Sequence, residues 1–245
     1  MNLPRFYCPP PLHAGPTLEL PPSAAHHAIR VLRLRVHDRV SVFDGDGTEL
    51  HGSIYRIDGK RVVLDQIQSC MINRESPLTL ILAQALCSTE KMDWIIQKAT
   101  ELGAAEIQPL QTRRSTTRLD GERGEKRTRH WHDIAISACE QCGRNRLPRI
   151  HSPQEFGVWL AAVGEMPGRK FILSPEAATT LHEQPVPNEP ITLLTGPEGG
   201  FSEEEMQLAI RAGLIPVRMG PRVLRTETAA LAGITSLQTL WGDFI

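Results

Sequence analysis

Two short stretches near the C-terminal end hold the residue types whose spacing could do chemistry. The first, Gly196-Pro197-Glu198-Gly199-Gly200, lies between the apolar run Ile191–Thr195 and the sequence Ser202-Glu203-Glu204-Glu205. The second, Gly220-Pro221-Arg222-Val223-Leu224-Arg225-Thr226-Glu227-Thr228, follows Ile215–Met219 and opens a final helical pattern. A glycine-rich loop between strand and helix commonly cradles phosphate, because bare backbone N–H groups point out of the helix start. Here the details disfavour phosphate. The Lys-Ser/Thr pair of a P-loop and the G-x-G-x-x-G spacing are both missing, and the carboxylate of Glu198 would repel it.

A carboxylate beside free backbone groups suits a neutral or cationic ligand that needs hydrogen bonds. S-adenosylmethionine has that chemistry: an adenosine, a sulfonium cation and no phosphate. Taken alone, the first loop is better read as a strand-to-helix turn whose glycines serve positive φ. The second loop changes the balance. Thr226 can cap the helix that follows, and Glu227 suits its positive end. Capping does not explain Arg222 and Arg225, which bring positive charge to a helix start. An anionic partner, or one that develops negative charge, would explain them.

The elements around these loops alternate. Leu78–Ala85 reads as a strand, and Met92, Ile95, Ile96, Ala99 and Leu102 share one helical face that Gly103 ends. Glu106–Leu110 is a strand, followed by a long helix around Trp131, Ile134, Ala135 and Ala138 that stops at Gly143. Phe171–Leu173, Ile191–Thr195 and Ile215–Met219 are short strands. Ser202 to Glu205 forms a capping box for a helix ending at Gly213. The last helix buries Ala230, Ile234, Leu237 and Trp241. This order implies an α/β domain with a mostly parallel sheet covered on both faces. Ligands of such sheets gather at the carboxyl ends of the strands, where both loops lie.

Residues 1–72 read differently. Ser23 can cap a short helix through Leu32. Val40–Phe43, Ile54–Ile57 and Val62–Leu64 are β-prone runs separated by Asp44-Gly45-Asp46-Gly47 and Asp58-Gly59. The expectation is a small β-rich, barrel-like domain over 1–72 and an α/β domain over 73–245, with the polar connector Cys70–Pro77 between them. No internal repeat is visible.

The chain has 245 residues with 27 Lys+Arg against 28 Asp+Glu, a formal charge of −1. Hydrophobic residues make up 40% and charged residues 22%, as in ordinary globular proteins. No apolar run approaches the roughly 18 residues of a membrane span, and MNLPRFYCPPPLHAG contains no secretory h-region. The five cysteines cannot all pair within the chain. A reduced cytoplasmic setting is the expectation, with collagenous, membrane, disulfide-rich and disordered classes excluded. The charge is unevenly spread: 111–149 carries 10 basic against 5 acidic residues, and the stretch from 150 onward 6 against 11. Arg30, Arg33, Arg35 and Arg39 form one cluster; Arg113, Arg114 and Arg118 with Arg144, Arg146 and Arg149 form another. Either alone reads as a solvated face, but together they point to a polyanionic partner.

ITLLTGPEGGFSEEE and MGPRVLRTETAALAGITSLQ resemble the C-terminal signature of the RsmE family, the bacterial 16S rRNA uridine-N3 methyltransferases of the SPOUT superfamily. EKMDWIIQKATELGA, CEQCGRNRLP and HHAIRVLRLRVHD match the same family, so the resemblance spans nearly the whole chain. It implies a SPOUT-type parallel sheet whose last helix is threaded into a C-terminal trefoil knot, behind an N-terminal PUA-like β-barrel that grips RNA. It implies S-adenosylmethionine as cofactor, a homodimer, and 16S rRNA or the small ribosomal subunit as partner, with methylation at N3 of a uridine (uridine 1498 in the family). Carried over, Thr195, Gly196, Glu198, Gly199 and Gly200 with Met219, Gly220, Leu224, Arg225, Thr226 and Thr228 would line the cofactor pocket. Arg225 or Arg222 would stabilise the uridine anion. Glu198 is a candidate base, its alternative role being to hold the ligand's amino group or the loop itself. Arg5, Arg30, Arg33, Arg35, Arg113, Arg114 and Arg144 are expected at RNA phosphates.

Other signals carry less. Cys139-x-x-Cys142 has no second pair to complete a zinc site, so these are read as structural thiols and no metal is expected. His26-His27, His130 and His132 are read as facing solvent or RNA, and Trp94 and Trp131 as packing residues. A nicotinamide-dependent oxidoreductase would need a phosphate loop early in the α/β domain and an acidic residue about twenty positions on, and neither is present. A non-catalytic RNA-binding assembly factor would keep the basic clusters but has no use for the two C-terminal loops.

Overall fold

A computed structural model describes residues 3–244. The chain packs as two units, one of residues up to Glu75 together with Ile136–Leu147, the other of Ser76–Ala135 with the residues from Pro148 onward.

The first unit is built on β1 (Arg5–Tyr7), β2 (Leu18–Glu19), β3 (Arg39–Phe43), β4 (Glu49–Asp58) and β5 (Arg61–Cys70). They form one sheet in the order β1-β3-β4-β5-β2, with β1 parallel to β3 and the other pairs antiparallel. The Asp58-Gly59 turn joins β4 to β5 and pairs Asp58 with Arg61. Two register shifts interrupt the β4–β5 ladder, one with the extra residue in β5 opposite His51–Ser53 and one with it in β4 between Ile54 and Arg56, and such irregularities make a strand bend and coil. The sheet is curled, and among the described residues no ladder joins β1 to β2 to close it as a barrel. Phe6, Val40, Val42, Leu50, Ile54, Val62 and Leu64 pack beneath α1 (Pro22–His26), which buries Ala24 and Ala25. Ser23 does not cap this helix. Pro21 takes the N-cap place and Pro22 the first helical position, where its missing N–H costs nothing; a π-helical turn then runs His27–Val31.

The second unit contains β6 (Leu80–Ala85), α2 (Thr89–Glu101), β7 (Glu106–Gln111), α3 (Gly121–Cys142), β8 (Arg149–Ile150), β9 (Gln154–Glu155), α4 (Phe156–Val163), β10 (Arg169–Leu173), β11 (Ile191–Thr195), α5 (Glu203–Arg211), β12 (Ile215–Val217) and α6 (Thr226–Trp241). Every strand pair is parallel, in the order β12-β10-β11-β6-β7-β8 with β9 also on β7. Both faces are covered, which explains the continuous apolar runs of the central strands. Leu193 of β11 packs with Ile95, Trp131 and Ile234 of α2, α3 and α6; its neighbour Leu194 packs with Phe156 and Ala209 of α4 and α5. Trp94, expected in a core, is 44% exposed on α2, while Trp131 is buried. No described helix is long and apolar enough to cross a membrane.

The segment Ile136–Leu147, which the sequence placed with the α/β domain, packs in the first unit for an electrostatic reason. Gly143, at φ +92, ends α3 and turns the chain toward Glu49, which is 2% exposed. Asn145 Nδ2 donates to Glu49 Oε2 at 2.9 Å, and Arg74 donates to both Glu49 Oε2 (3.2 Å) and Gly143 O (3.0 Å). Glu49 Oε1 accepts from Ser41 at 2.7 Å and meets Arg5 at 2.9 Å and His51 at 3.0 Å. Burial pushes the Glu49 carboxyl up, but the hydrogen bonds from Ser41, Asn145 and His51 and the Arg5 charge outweigh it and hold the pKa at about 2.

A folded pKa below the ordinary 4.5 means that Glu49 stabilises the fold above about pH 4.5. That contribution falls away as the pH drops from there toward 2. Glu49→Ala leaves Arg5 and Arg74 without their carboxylate and is expected to cost about 3 kcal/mol in denaturant unfolding at pH 7. The variant should also lose most of the acid sensitivity that the wild type shows in that window.

Candidate functional site

The carboxyl ends of β10, β11 and β12 open into a cleft of about 720 Å³. Its walls are the first loop from Thr195 to Phe201, the second loop at Met219 and Arg222 to Thr226, the end of β10 at Leu173, and Met206 of α5. Lys91 of α2 and Arg114 stand on its lining as well. Of the residues expected at a ligand, Thr195, Gly196, Glu198, Gly199, Gly200, Met219, Arg222, Leu224, Arg225 and Thr226 meet here. Gly220 and Thr228 do not line the cleft. Gly220 instead makes the turn into the second loop at φ +78, and Thr228 is exposed on α6.

Positive φ explains little of the first loop. Only Gly200, at φ +67, uses it, closing a turn through its N–H to Pro197 O at 2.9 Å. A Cβ on Gly196 would come within 3.1 Å of the Phe201 ring, and one on Gly199 within 3.3 Å of Arg114. The loop is therefore packed for close approach, and Arg114 fixes its outer side by donating to Gly199 O at 2.9 Å. Beyond it, Ser202 caps α5 with both arms of the capping box formed, and Glu205 also accepts from Arg113 N at 2.7 Å.

The second loop is joined to the first from the side. Thr226 does not cap α6; Arg225 occupies the N-cap position without a side-chain bond. The Thr226 hydroxyl instead donates across to Gly196 O at 2.5 Å and accepts from Gln84 Nε2 at 3.1 Å. Backbone groups of residues 219–224 make no hydrogen bond to other backbone among the described residues, and Thr195 Oγ1, buried beneath the first loop, has no partner there either.

Charge around the cleft divides into held and free. Glu198 Oε1 accepts from Ser88 N at 3.1 Å and from Lys91 at 3.3 Å, and Lys91 also lies 3.6 Å from Glu227. Burial pushes the Glu198 carboxyl up, yet the Ser88 N–H and Lys91 prevail and its pKa lies below the usual range. Such a carboxylate is a weak base. Arg222 and Arg225 are exposed at the mouth and make no hydrogen bond or ion pair among the described residues, with Val223 between them 81% exposed.

The arginines expected at RNA divide similarly. Arg30, Arg33 and Arg35 are exposed among the equally exposed Val31, Leu32 and Val36. Arg113 is exposed and pairs with Glu204 at 3.0 Å, and Arg114 serves the cleft. Arg5 and Arg144 correct the expectation, because both are committed inside the first unit. Arg5 binds Glu49 and Asn145 and lies 4.8 Å over the Phe43 ring, and Arg144 grips Glu75 at 2.7 Å. Among the described residues, no group of three or more His, Cys, Asp and Glu side chains could hold a metal ion.

A model of an RNA methyltransferase domain matches residues 74–238, and one of an RNA methyltransferase PUA domain matches residues 20–67. The chain is 36% identical over 242 residues to ribosomal RNA small subunit methyltransferase E of Buchnera aphidicola from Schizaphis graminum, covering 99% of this chain and 98% of that one. It belongs to the ribosomal RNA small subunit methyltransferase E family. The Bacillus subtilis member is 29% identical over 235 residues, 92% of this chain and 91% of its own. The family member from Neisseria gonorrhoeae, solved bound to S-adenosylmethionine, superposes with a TM-score of 0.91 at 38% identity over 100% of both chains. A Legionella pneumophila protein described as a methyltransferase, also with S-adenosylmethionine, gives 0.93 at 40% over 100% of both.

Gln84 and Lys91 were not singled out by sequence reasoning. The signal for Gln84 was a lone amide near the carboxyl end of the otherwise apolar run Leu80–Ala85. Ser202→Ala removes the cap that holds α5 behind the first loop and is expected to cost about 1 kcal/mol in urea unfolding, with Ser202→Asp retaining most of it.

Proposed function

We propose that this chain binds S-adenosylmethionine in the cleft and methylates N3 of a uridine in 16S rRNA of the small ribosomal subunit. The observation that carries the reading is the cleft itself: two loops meeting at strand ends, the second with backbone that bonds to no other backbone among the described residues, and no phosphate-binding feature. Apolar walls from Leu173, Met206, Met219 and Leu224 fit an adenine, and the carboxylates near the first loop suit a cationic sulfonium compound. Bound there, S-adenosylmethionine would supply an electrophilic methyl group.

The chain's own residues then have three tasks. The loops hold the acceptor base in line with the methyl group. Arg222 or Arg225 balances the negative charge that spreads onto the uracil carbonyl oxygens as the N3 proton passes to solvent water, which explains two unpaired guanidiniums at a helix start. Glu198, already ionised and tied to Ser88 and Lys91, holds the first loop; this is the better of its two expected roles. N3 lies on the Watson–Crick edge, so the target nucleotide must be unpaired or flipped out.

Three further features belong to the proposal. Exposed Arg30, Arg33 and Arg35 contact RNA phosphate. The chain enters a trefoil knot after β12; in support, β12 lies at the sheet edge while α6, next in sequence, packs over the middle strands β11 and β6. The working form is a homodimer, as the family resemblance implies, in the cytoplasmic setting expected from the sequence.

Calorimetry should give saturable binding of S-adenosylmethionine and none of NADH; the reverse would overturn the reading. Methyl transfer to 16S rRNA, as free RNA or in small subunits, followed by mapping of the modified base, tests the substrate. At saturating cofactor, Arg225→Ala should turn over about 100-fold more slowly, and undiminished turnover would remove that residue from the mechanism. RNA affinity should fall with salt, and Arg30→Ala and Arg35→Ala should each make the log–log slope shallower by about 0.7–0.9.

A further inference from the structure

Gln84 lies near the carboxyl end of β6, the central strand between β11 and β7, and is wholly buried. An amide in that place is unusual, since the rest of β6 is apolar and burying an amide costs free energy unless it is hydrogen-bonded. Its nitrogen is fully engaged. Nε2 donates to Thr226 Oγ1 at 3.1 Å, to Ala85 O at 2.9 Å and, more weakly, toward Gly196 O at 3.5 Å. Two of these acceptors are carbonyls, which fixes the nitrogen as the end facing the loops. The other end, Oε1, is buried and has no partner among the described residues. In the ladder Gln84 is paired with Thr195, the last residue before the first loop.

A side chain kept only for stability would not leave a buried acceptor unmatched, because such an atom costs about 1–3 kcal/mol. What the amide does achieve is a three-point joint. One nitrogen beneath the cleft reaches the hydroxyl at the head of α6 and the carbonyl that opens the first loop, and that hydroxyl reaches the same carbonyl. We propose that Gln84 is a positioning residue that holds the two loops in their binding-competent arrangement before any ligand arrives. It touches no reacting atom and does not line the cleft; it acts through Thr226 and Gly196.

The inference rests on the reading of the cleft as an S-adenosylmethionine site, and the wild-type control separates the two. If the wild-type protein does not bind S-adenosylmethionine, that reading fails; if it binds and the variants bind equally well, only the role of Gln84 fails. Gln84→Met keeps the length and removes both polar ends. When only a tenth of the molecules hold the loops ready, apparent affinity falls about tenfold. Calorimetry on Gln84→Met should therefore show about a tenfold higher Kd, with turnover at saturating cofactor within about threefold of wild type. Hydrogen exchange of the ligand-free protein should rise in residues 196–201 and 219–226 and stay unchanged in β7 and α4. Thr226→Val, which loses the hydroxyl but keeps the shape, should reproduce the loss, and Thr226→Ser should restore affinity. A Kd within twofold of wild type in both Gln84→Met and Thr226→Val would overturn the proposal. So would a loss of affinity accompanied by faster exchange throughout the second unit.

Discussion

The hydrogen bond from the Thr226 hydroxyl to the Gly196 carbonyl spans thirty positions of sequence, and the cleft depends on it. It brings the head of α6 against the loop that leaves β11. Without that closure the two loops would be separate surface turns with no common wall. Everything else around the cleft supports this contact: Gln84 from beneath, Lys91 and Ser88 on one flank through Glu198, and Arg114 on the other through Gly199. Polar groups left unmatched around it are the buried Thr195 Oγ1, Gln84 Oε1 and Glu227 Oε2, together with the backbone of the second loop, which bonds to no other backbone among the described residues.

A parallel sheet buried on both faces makes such a site possible, and that sheet was largely readable in the sequence. Its central strands had to be apolar throughout, and its helices had to show one apolar face each, so β6, β7, β10, β11, β12, α2, α3, α5 and α6 were foreseeable from periodicity. The two-residue strands β8 and β9 were not, since two residues carry no period. The mostly apolar α4 was hidden for a similar reason: Phe156, Trp159, Leu160 and Val163 face the core while Val158 is 60% exposed, which blurs the stripe.

At the cleft, residue type was legible and partner was not. Thr226 before a helix reads as a cap under any local rule, yet its hydroxyl is drawn to a carbonyl that only the tertiary fold brings near. Arg5 and Arg144 read as surface cations because arginine usually is one; what makes them internal is a carboxylate far away in sequence, Glu49 for the first and Glu75 for the second. Trp94 read as a packing residue because it sits in a helix, though the helical stripe of Met92, Ile95, Ile96 and Ala99 already excluded it from the buried face.

Because α3 starts in one unit and finishes in the other, the boundary between them is not a point on the chain. A nascent polypeptide emerging from the ribosome presents all five strands of the curled sheet by Cys70, but the Asn145 amide that completes the shell around Glu49 comes some seventy positions later. Until then that carboxylate has Arg5, Ser41, His51 and Arg74 but lacks one of its hydrogen-bond donors. The first unit is therefore complete only once more than a third of the second has been made.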